Sequence, residues 1–296
     1  MSAGIARVGI SGWSYGPWRG AFYPGGLRRK QELAYAASIF SSIEINGTFY
    51  GLQTPAAFGA WADAVPADFE FAVKASRFIT HLKRLRDVET PLANFLASGV
   101  LRLGRKLGPI LWQLPPNFKF DAALLEDFFA LLPRTTKQAA ALAGRHDARL
   151  KAPAWLDVAH HGRIRHALEV RHESFRNAQF VSLLRRHGVA LVCADAVKWP
   201  QFMDLTADFV YCRLHGSVEL YRSKYEKAAL QALAGRVRAW TQGRKMQTGN
   251  FIADVVDDRK ARDAYVYFDN TDKLHAPRDA QALMALLNKP AHRTRR

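Results

Sequence analysis

The chain has 296 residues, 49% of them hydrophobic, which is enough to bury the core of one large α/β unit or of two domains. Lys and Arg number 43 against 26 Asp and Glu, a formal charge of +17 that favours anionic substrates or polyanions as partners and carries no information about fold. Only two cysteines are present, Cys193 and Cys212, both inside apolar runs, so a disulfide scaffold is excluded and a reduced, cytoplasmic protein is expected. No apolar run approaches the roughly 20 residues of a membrane span. Met1 opens onto Ser-Ala-Gly without a charged segment and an apolar core, so no signal peptide and no membrane partner are expected.

In chain order, apolar β-rich runs predict strands at "RVGIS" (7–11), "SIEIN" (42–46), "FEFAVK" (69–74), "PILWQL" (109–114), "HALEV" (166–170), "VALVCA" (189–194), "DFVYCR" (208–213) and "AYVYF" (264–268). Helical faces recur between them: Leu33, Ala36, Ala37 and Phe40; Phe180, Leu183, Leu184 and His187; Leu230, Leu233, Val237 and Trp240; Ala280, Leu283, Met284 and Leu287. Alternation of strand and helix predicts a parallel sheet. Eight such units, with no G-x-G-x-x-G after the first strand, predict a closed, TIM-barrel-like (β/α)8 fold rather than an open doubly wound sheet. One domain over residues 1–288 is the simplest division. Residues 134–165 are expected to form a basic insertion, an added helix with a surface loop, and 289–296 a flexible basic tail.

The motifs "GISGWSYGPWRGAFYPGG", "EINGTFYGLQTP", "FEFAVKASRFITH", "LGPILWQLPPNF", "ALEVRHESF", "YCRLHG" and "YVYFDNT" occur in this order along nearly the whole chain. Together they resemble the domain of unknown function 72 (YecE-like) family. The resemblance implies a TIM-barrel-like fold, in agreement with the strand count, and implies no activity. The 134–165 segment lies outside the shared motifs.

Barrel enzymes place their chemistry at the C-terminal strand ends, and here those ends are polar. Glu44 stands between Ile43 and Ile45 in an otherwise buried run, and alternation puts it on one face with Asn46, towards the lumen. Strand 3 ends in Lys74, strand 4 offers Gln113, strand 5 Glu169 and Arg171, strand 6 Asp195, strand 7 Arg213 and His215, and strand 8 Asp269 and Asn270. One reading is a structural ion-pair network that closes the barrel. The other is a site for a small anionic substrate, phosphorylated or carboxylated. In that site Arg213, Ser217 and Asn270 hold the anion beside a Gly216 turn, and Glu169 or His215 moves protons. Lys74 acts as electrostatic stabiliser or Schiff-base nucleophile, and Glu44 supplies a further catalytic carboxylate. Asn46, Gln113, Arg171 and Asp195 complete the substrate contacts, with Trp13 and Tyr50 as aromatic walls. His172 is a weaker rival of His215 for proton transfer, since its parity is opposite to that of Glu169 and Arg171 and suits packing or capping of the following helix instead.

No cofactor is expected, although Glu44, Glu169, Asp195 and His215 are of the types that bind a divalent metal. Glu44 and Glu169 also suit a glycosidase pair. The basic runs "RRK" (28–30), 134–165 and "HRTRR" leave open a nucleic-acid-binding protein or nuclease with non-specific, salt-dependent binding, and a non-catalytic ligand-binding barrel is a third reading.

Overall fold

The computed structural model describes residues 3–216, 223–246, 248–270 and 275–289. Its strands are β1 (Ala6–Ser11), β2 (Ser42–Ile45), β3 (Glu70–Lys74), β4 (Leu107–Gln113), β5 (His166–Glu169), β6 (Ala190–Asp195), β7 (Phe209–Leu214) and β8 (Asp263–Phe268). They pair in parallel in sequence order, and β8 pairs with β1 to close the barrel. Each expected strand lies within two residues of the observed one. Among the described residues the connections carry α1 (Glu32–Ala37), α2 (Gly47–Tyr50), α3 (Pro55–Asp63), α4 (Glu89–Ala97), α5 (Ala122–Leu131), α6 (Thr136–Ala143), α7 (Ala178–His187), α8 (Lys227–Thr241) and α9 (Ala276–Asn288).

Local chemistry sets these boundaries. Thr54, Asp121 and Asn177 accept hydrogen bonds from the first-turn amides of α3, α5 and α7, satisfying donors that a helix start leaves open. Thr135 and Gln138 form a reciprocal capping box on α6. Gly188 ends α7 with φ near 57°, a conformation that a side chain would strain.

Side-chain alternation then sorts every strand into an inner and an outer face. Ile43, Ile45, Ile110, Trp112, Leu168, Val210 and Val266 face the helices and are buried in the main core. Ala72, Leu111, Ala167, Val192, Tyr211 and Tyr267 fill the middle of the lumen, where the Tyr267 hydroxyl and Ser42 Oγ lie 2.6 Å apart. At the N-terminal end of the lumen Arg7 binds Glu70 at 2.6 Å, the Tyr265 hydroxyl donates to the same carboxylate, and Arg165 binds Asp263 at 2.8 Å. The lumen is therefore a packed, layered interior and not a pore.

The 134–165 segment contains α6 followed by irregular chain, and it is docked on the barrel. The Trp155 amide donates to the Ala97 carbonyl at 2.8 Å, Asn94 and Asp147 exchange hydrogen bonds, and the Arg102 guanidinium lies 4.5 Å from the Trp155 ring centre. Several of its cations are paired: Arg145 with Glu89, Arg163 with Asp208 and Arg165 with Asp263. The expected flexible tail lies, beyond Lys289, outside the described residues. Cys193 and Cys212 are free, buried and opposite one another on β6 and β7. Among the described residues no helix is long and apolar enough to cross a membrane.

His166, on the outer face of β5, is buried with Nδ1 accepting from Trp112 Nε1 at 3.1 Å and Nε2 2.8 Å from the Pro133 carbonyl. Burial lowers its pKa from 6.5 to about 4 despite the carbonyl partner. Between those values the unfolded chain binds a proton that the folded chain refuses, so stability falls as pH is lowered through this window. In His166→Gln, the pH dependence of urea-unfolding free energy between pH 6.5 and 4 is expected to be shallower by up to one proton, about 1.4 kcal/mol per pH unit. An unchanged slope would show that His166 does not titrate as placed.

Candidate functional site

The mouth is organised by Arg213, the lumen-facing residue near the C-terminal end of β7, which is fully buried. Its Nε donates to Glu44 Oε2 at 3.0 Å and its Nη2 to Glu44 Oε1 at 2.9 Å and Asp269 Oδ2 at 2.9 Å. Nη1 donates to Glu169 Oε2 at 2.7 Å and approaches His215 Nε2 at 3.3 Å. These contacts occupy all five guanidinium donors. Glu44 also accepts from Ser11 Oγ at 2.9 Å and from the Tyr211 hydroxyl at 2.7 Å. The cation that meets Glu44 is thus Arg213, in bidentate geometry.

Glu169 bridges two cations, since its other oxygen accepts from Arg171 Nε at 2.7 Å and lies 2.6 Å from Arg171 Nη2. Burial alone would raise the Glu169 carboxyl, but the Arg171 and Arg213 guanidiniums outweigh it and hold the group well below the usual carboxylate range. A carboxylate so held is a poor proton acceptor near neutral pH. His215 Nδ1 lies 3.3 Å from Asp269 Oδ2, and its ring meets Trp199 edge-on at 5.4 Å. Trp199 in turn lies under Arg171, with the guanidinium 4.1 Å from the ring centre.

The structure separates two expected members from this cluster. Asp195 follows Leu191 and Cys193 on the outer face of β6, while Ala190, Val192 and Ala194 line the lumen; its carboxyl hydrogen-bonds Tyr225 and is raised by burial. Asn270 likewise faces outward, donating to Asp279 of α9 at 2.7 Å and to the Ser223 carbonyl at 3.1 Å. Asp269, on the inner face with Tyr265 and Tyr267, takes the place expected of Asn270. The signal was present in the period-two alternation of "YVYFD". The expected anion cradle after β7 and β8 is corrected on the same ground: Arg213 has no donor left, the Gly216 amide donates to the Tyr225 hydroxyl at 3.0 Å, and Asn270 is engaged elsewhere. Ser217 lies outside the described residues.

A different sector of the mouth, over β2 to β5, carries polar groups that the cluster leaves unengaged. Lys74 ends β3 on the lumen side and is 8% exposed. Among the described residues its Nζ makes no hydrogen bond or ion pair, and it sits 4.2 Å from the centre of the Phe49 ring. Burial and the Arg213 charge lower the Lys74 pKa to about 8, against the raising effect of Glu44, Asp269 and Glu169. Gln113, at the end of the adjacent strand β4, is buried, and its side chain makes no hydrogen bond among the described residues. Asn46 Oδ1, just past β2, is buried and accepts none among them. On Arg171, beyond β5, Nε and Nη2 both serve one Glu169 oxygen while Nη1 makes no hydrogen bond among the described residues.

Phe49 also meets His81 edge-on at 5.1 Å. His81 lies in a single π-helical turn, Phe78–Leu82, and burial followed by the charges of Lys74, Arg171, Arg77 and Arg84 lowers its pKa to about 4. Tyr50 stands at the rim, 74% exposed, whereas the Trp13 ring packs on Trp61 and Phe71 towards the helices. His172 caps the 3-10 turn at Glu173–Phe175, accepting from the Ser174 amide. Among the described residues no group of three or more His, Cys, Asp and Glu is arranged to hold a metal ion. The three carboxylates of the mouth converge instead on a guanidinium.

Fold and site define a TIM-barrel protein with a densely charged mouth at its C-terminal strand ends. The chain belongs to DUF72, a family of proteins of unknown function, whose model matches residues 7–296. Among solved structures it is similar to a DUF72 family protein from Thermotoga maritima, with 24% identity, a TM-score of 0.69 and coverage of 96% of this chain and 100% of that one. A DUF72 family protein from Enterococcus faecalis is similar at 17% identity and a TM-score of 0.69, covering 97% of this chain and 96% of that one. At these identities the likeness concerns the fold. No curated protein matches the chain.

If Arg213 is the keystone of the mouth, Arg213→Met leaves three carboxylates without their shared cation and is expected to cost about 3–5 kcal/mol. Ser11→Ala, which removes one hydroxyl donor to Glu44, should cost about 1.5–3 kcal/mol. Urea unfolding compares the two, and an Arg213→Met loss no greater than that of Ser11→Ala would remove Arg213 from its central position.

Proposed function

We propose that the β2–β5 sector of the mouth is an active site for a small substrate bearing a carboxylate or phosphate. The observation that carries this reading is Lys74: a nearly buried amine with no ion-pair partner among the described residues, beside carboxylates already engaged by arginines. A lysine kept only for stability gains little there, because burying its charge without a paired carboxylate is costly and an apolar residue of similar length would pack better.

In this site Lys74 and the open Nη1 edge of Arg171 hold the anionic group, with Gln113 and Asn46 as polar contacts and Tyr50 at the rim. A pKa near 8 lets the Lys74 amine give or take a proton close to neutral pH, the property required of a general acid or base. Glu169 and His215 act through position, Glu169 by orienting Arg171 and His215 by packing against Trp199. Glu44 holds Arg213 in place.

Inorganic phosphate and pyruvate, each tested at constant ionic strength to screen the +17 charge, are expected to raise the melting temperature of the wild type by preferential binding to the folded state. In Lys74→Met the dissociation constant for the stabilising anion should rise about tenfold or more, while Arg149→Gln, at an exposed surface position, should leave it unaltered. Equal stabilisation of the wild type and Lys74→Met, or none of the wild type by either anion, would sink the proposal.

A further inference from the structure

We propose that Lys74 is a carbonyl-capturing nucleophile, forming an imine with an aldehyde or ketone that also carries a carboxylate or phosphate. The inference rests on the reading of the β2–β5 sector as an anion-binding active site and adds to it a covalent step and a substrate class. Three geometric features support it.

First, among the described residues Nζ is bound to no carboxylate, so its lone pair, once the amine is deprotonated, is not diverted into an ion pair. The reason lies outside the lysine: Arg213 and Arg171 engage both oxygens of Glu44 and of Glu169, and Arg213 engages Oδ2 of Asp269. Second, Nζ lies over the Phe49 ring at 4.2 Å, and an aromatic face supports a cation at this position whether it is an ammonium or an iminium. Third, the charges of six described residues of the mouth balance when Lys74 is a cation. Glu44, Glu169 and Asp269 carry three negative charges and Arg171 and Arg213 two positive ones. A cationic Lys74 brings these six residues to neutrality, and a protonated imine preserves that balance.

The step balances without an oxidant or reductant. The neutral Nζ adds its electron pair to the carbonyl carbon, and the C=O π pair moves to oxygen to give a carbinolamine. Protonation of the hydroxyl and loss of water then form the C=N bond, so that amine, carbonyl compound and one proton yield a protonated imine and one water. The iminium is an electron sink for breaking a bond at the adjacent carbon. Arg171 Nη1 suits the carboxylate or phosphate of the same molecule. The lowered pKa of Lys74, about 8, makes roughly a tenth of the amine available in neutral form at pH 7.

The full-length protein is incubated separately with glyoxylate, pyruvate and dihydroxyacetone phosphate, reduced with sodium borohydride, and analysed by intact mass and peptide mapping. The expected result is a reduction-dependent adduct concentrated at Lys74 with at least one of the three. The adduct should be absent at position 74 of Lys74→Arg and Lys74→Met, and its formation should slow about tenfold in excess phosphate. Modification spread over exposed lysines such as Lys224 and Lys83, with Lys74 unlabelled by all three carbonyls, would overturn the imine. If phosphate or pyruvate still stabilises the wild type more than Lys74→Met, only the covalent step fails; if it does not, the anion-binding reading falls as well.

Discussion

Arg213 is the constraint on which the mouth depends. A guanidinium removed from water must direct five N–H groups at acceptors, and this one does so with two oxygens of Glu44, one each of Glu169 and Asp269, and the ring of His215. Its partners belong to β2, β5, the end of β8 and β7 itself, so one side chain ties β7 to β2 and β5, neither of which neighbours it in the barrel. Ser11 and Tyr211 finish the coordination of Glu44. Such a network is stable only when complete, because each carboxylate left over would be a buried, unpaired charge.

Completeness on one side of the mouth creates the asymmetry on the other. Among the described residues over β7 and β8, the Gly216 amide is taken by Tyr225 and the Asn270 amide by Asp279 and Ser223. The sector over β2 to β5 retains the Lys74 amine, the Gln113 amide, the Asn46 carbonyl oxygen and an edge of Arg171. Arg213 also acts on Lys74 at a distance, since its charge adds to burial in lowering that amine. Most residues that hold the barrel end together are therefore distinct from those with polar atoms left unengaged among the described residues, Arg171 belonging to both groups, and the two are electrostatically linked.

Much of this was legible in residue order. Strands alternate with a period of two, so the eight runs and the inward direction of Glu44, flanked by Ile43 and Ile45, followed from local pattern. The same rule applied to "YVYFD" places Asp269 inward and Asn270 outward, and applied to "VALVCAD" places Asp195 outward with Cys193. At these two strand ends residue polarity points towards the mouth while the parity of the preceding residues points outward, and parity prevails. Trp199, which packs between Arg171 and His215, had no signal at all in the sequence. It comes from an irregular connection between β6 and β7, where no periodicity constrains direction.

By itself, then, the sequence determined the barrel, the count and order of its strands, and the set of charged side chains aimed into its upper end, because these depend on alternation and on short-range helix and turn chemistry. Which cation meets which carboxylate was decided only in three dimensions. Glu44 and Arg213 lie 169 positions apart and on non-adjacent strands, so their pairing depends on the curvature that closes β8 onto β1 and brings opposite walls within reach. That Lys74 Nζ makes no ion pair among the described residues follows from that pairing, because both oxygens of Glu44 and of Glu169 are held by arginines. No local pattern around residue 74 records what happens at residue 213.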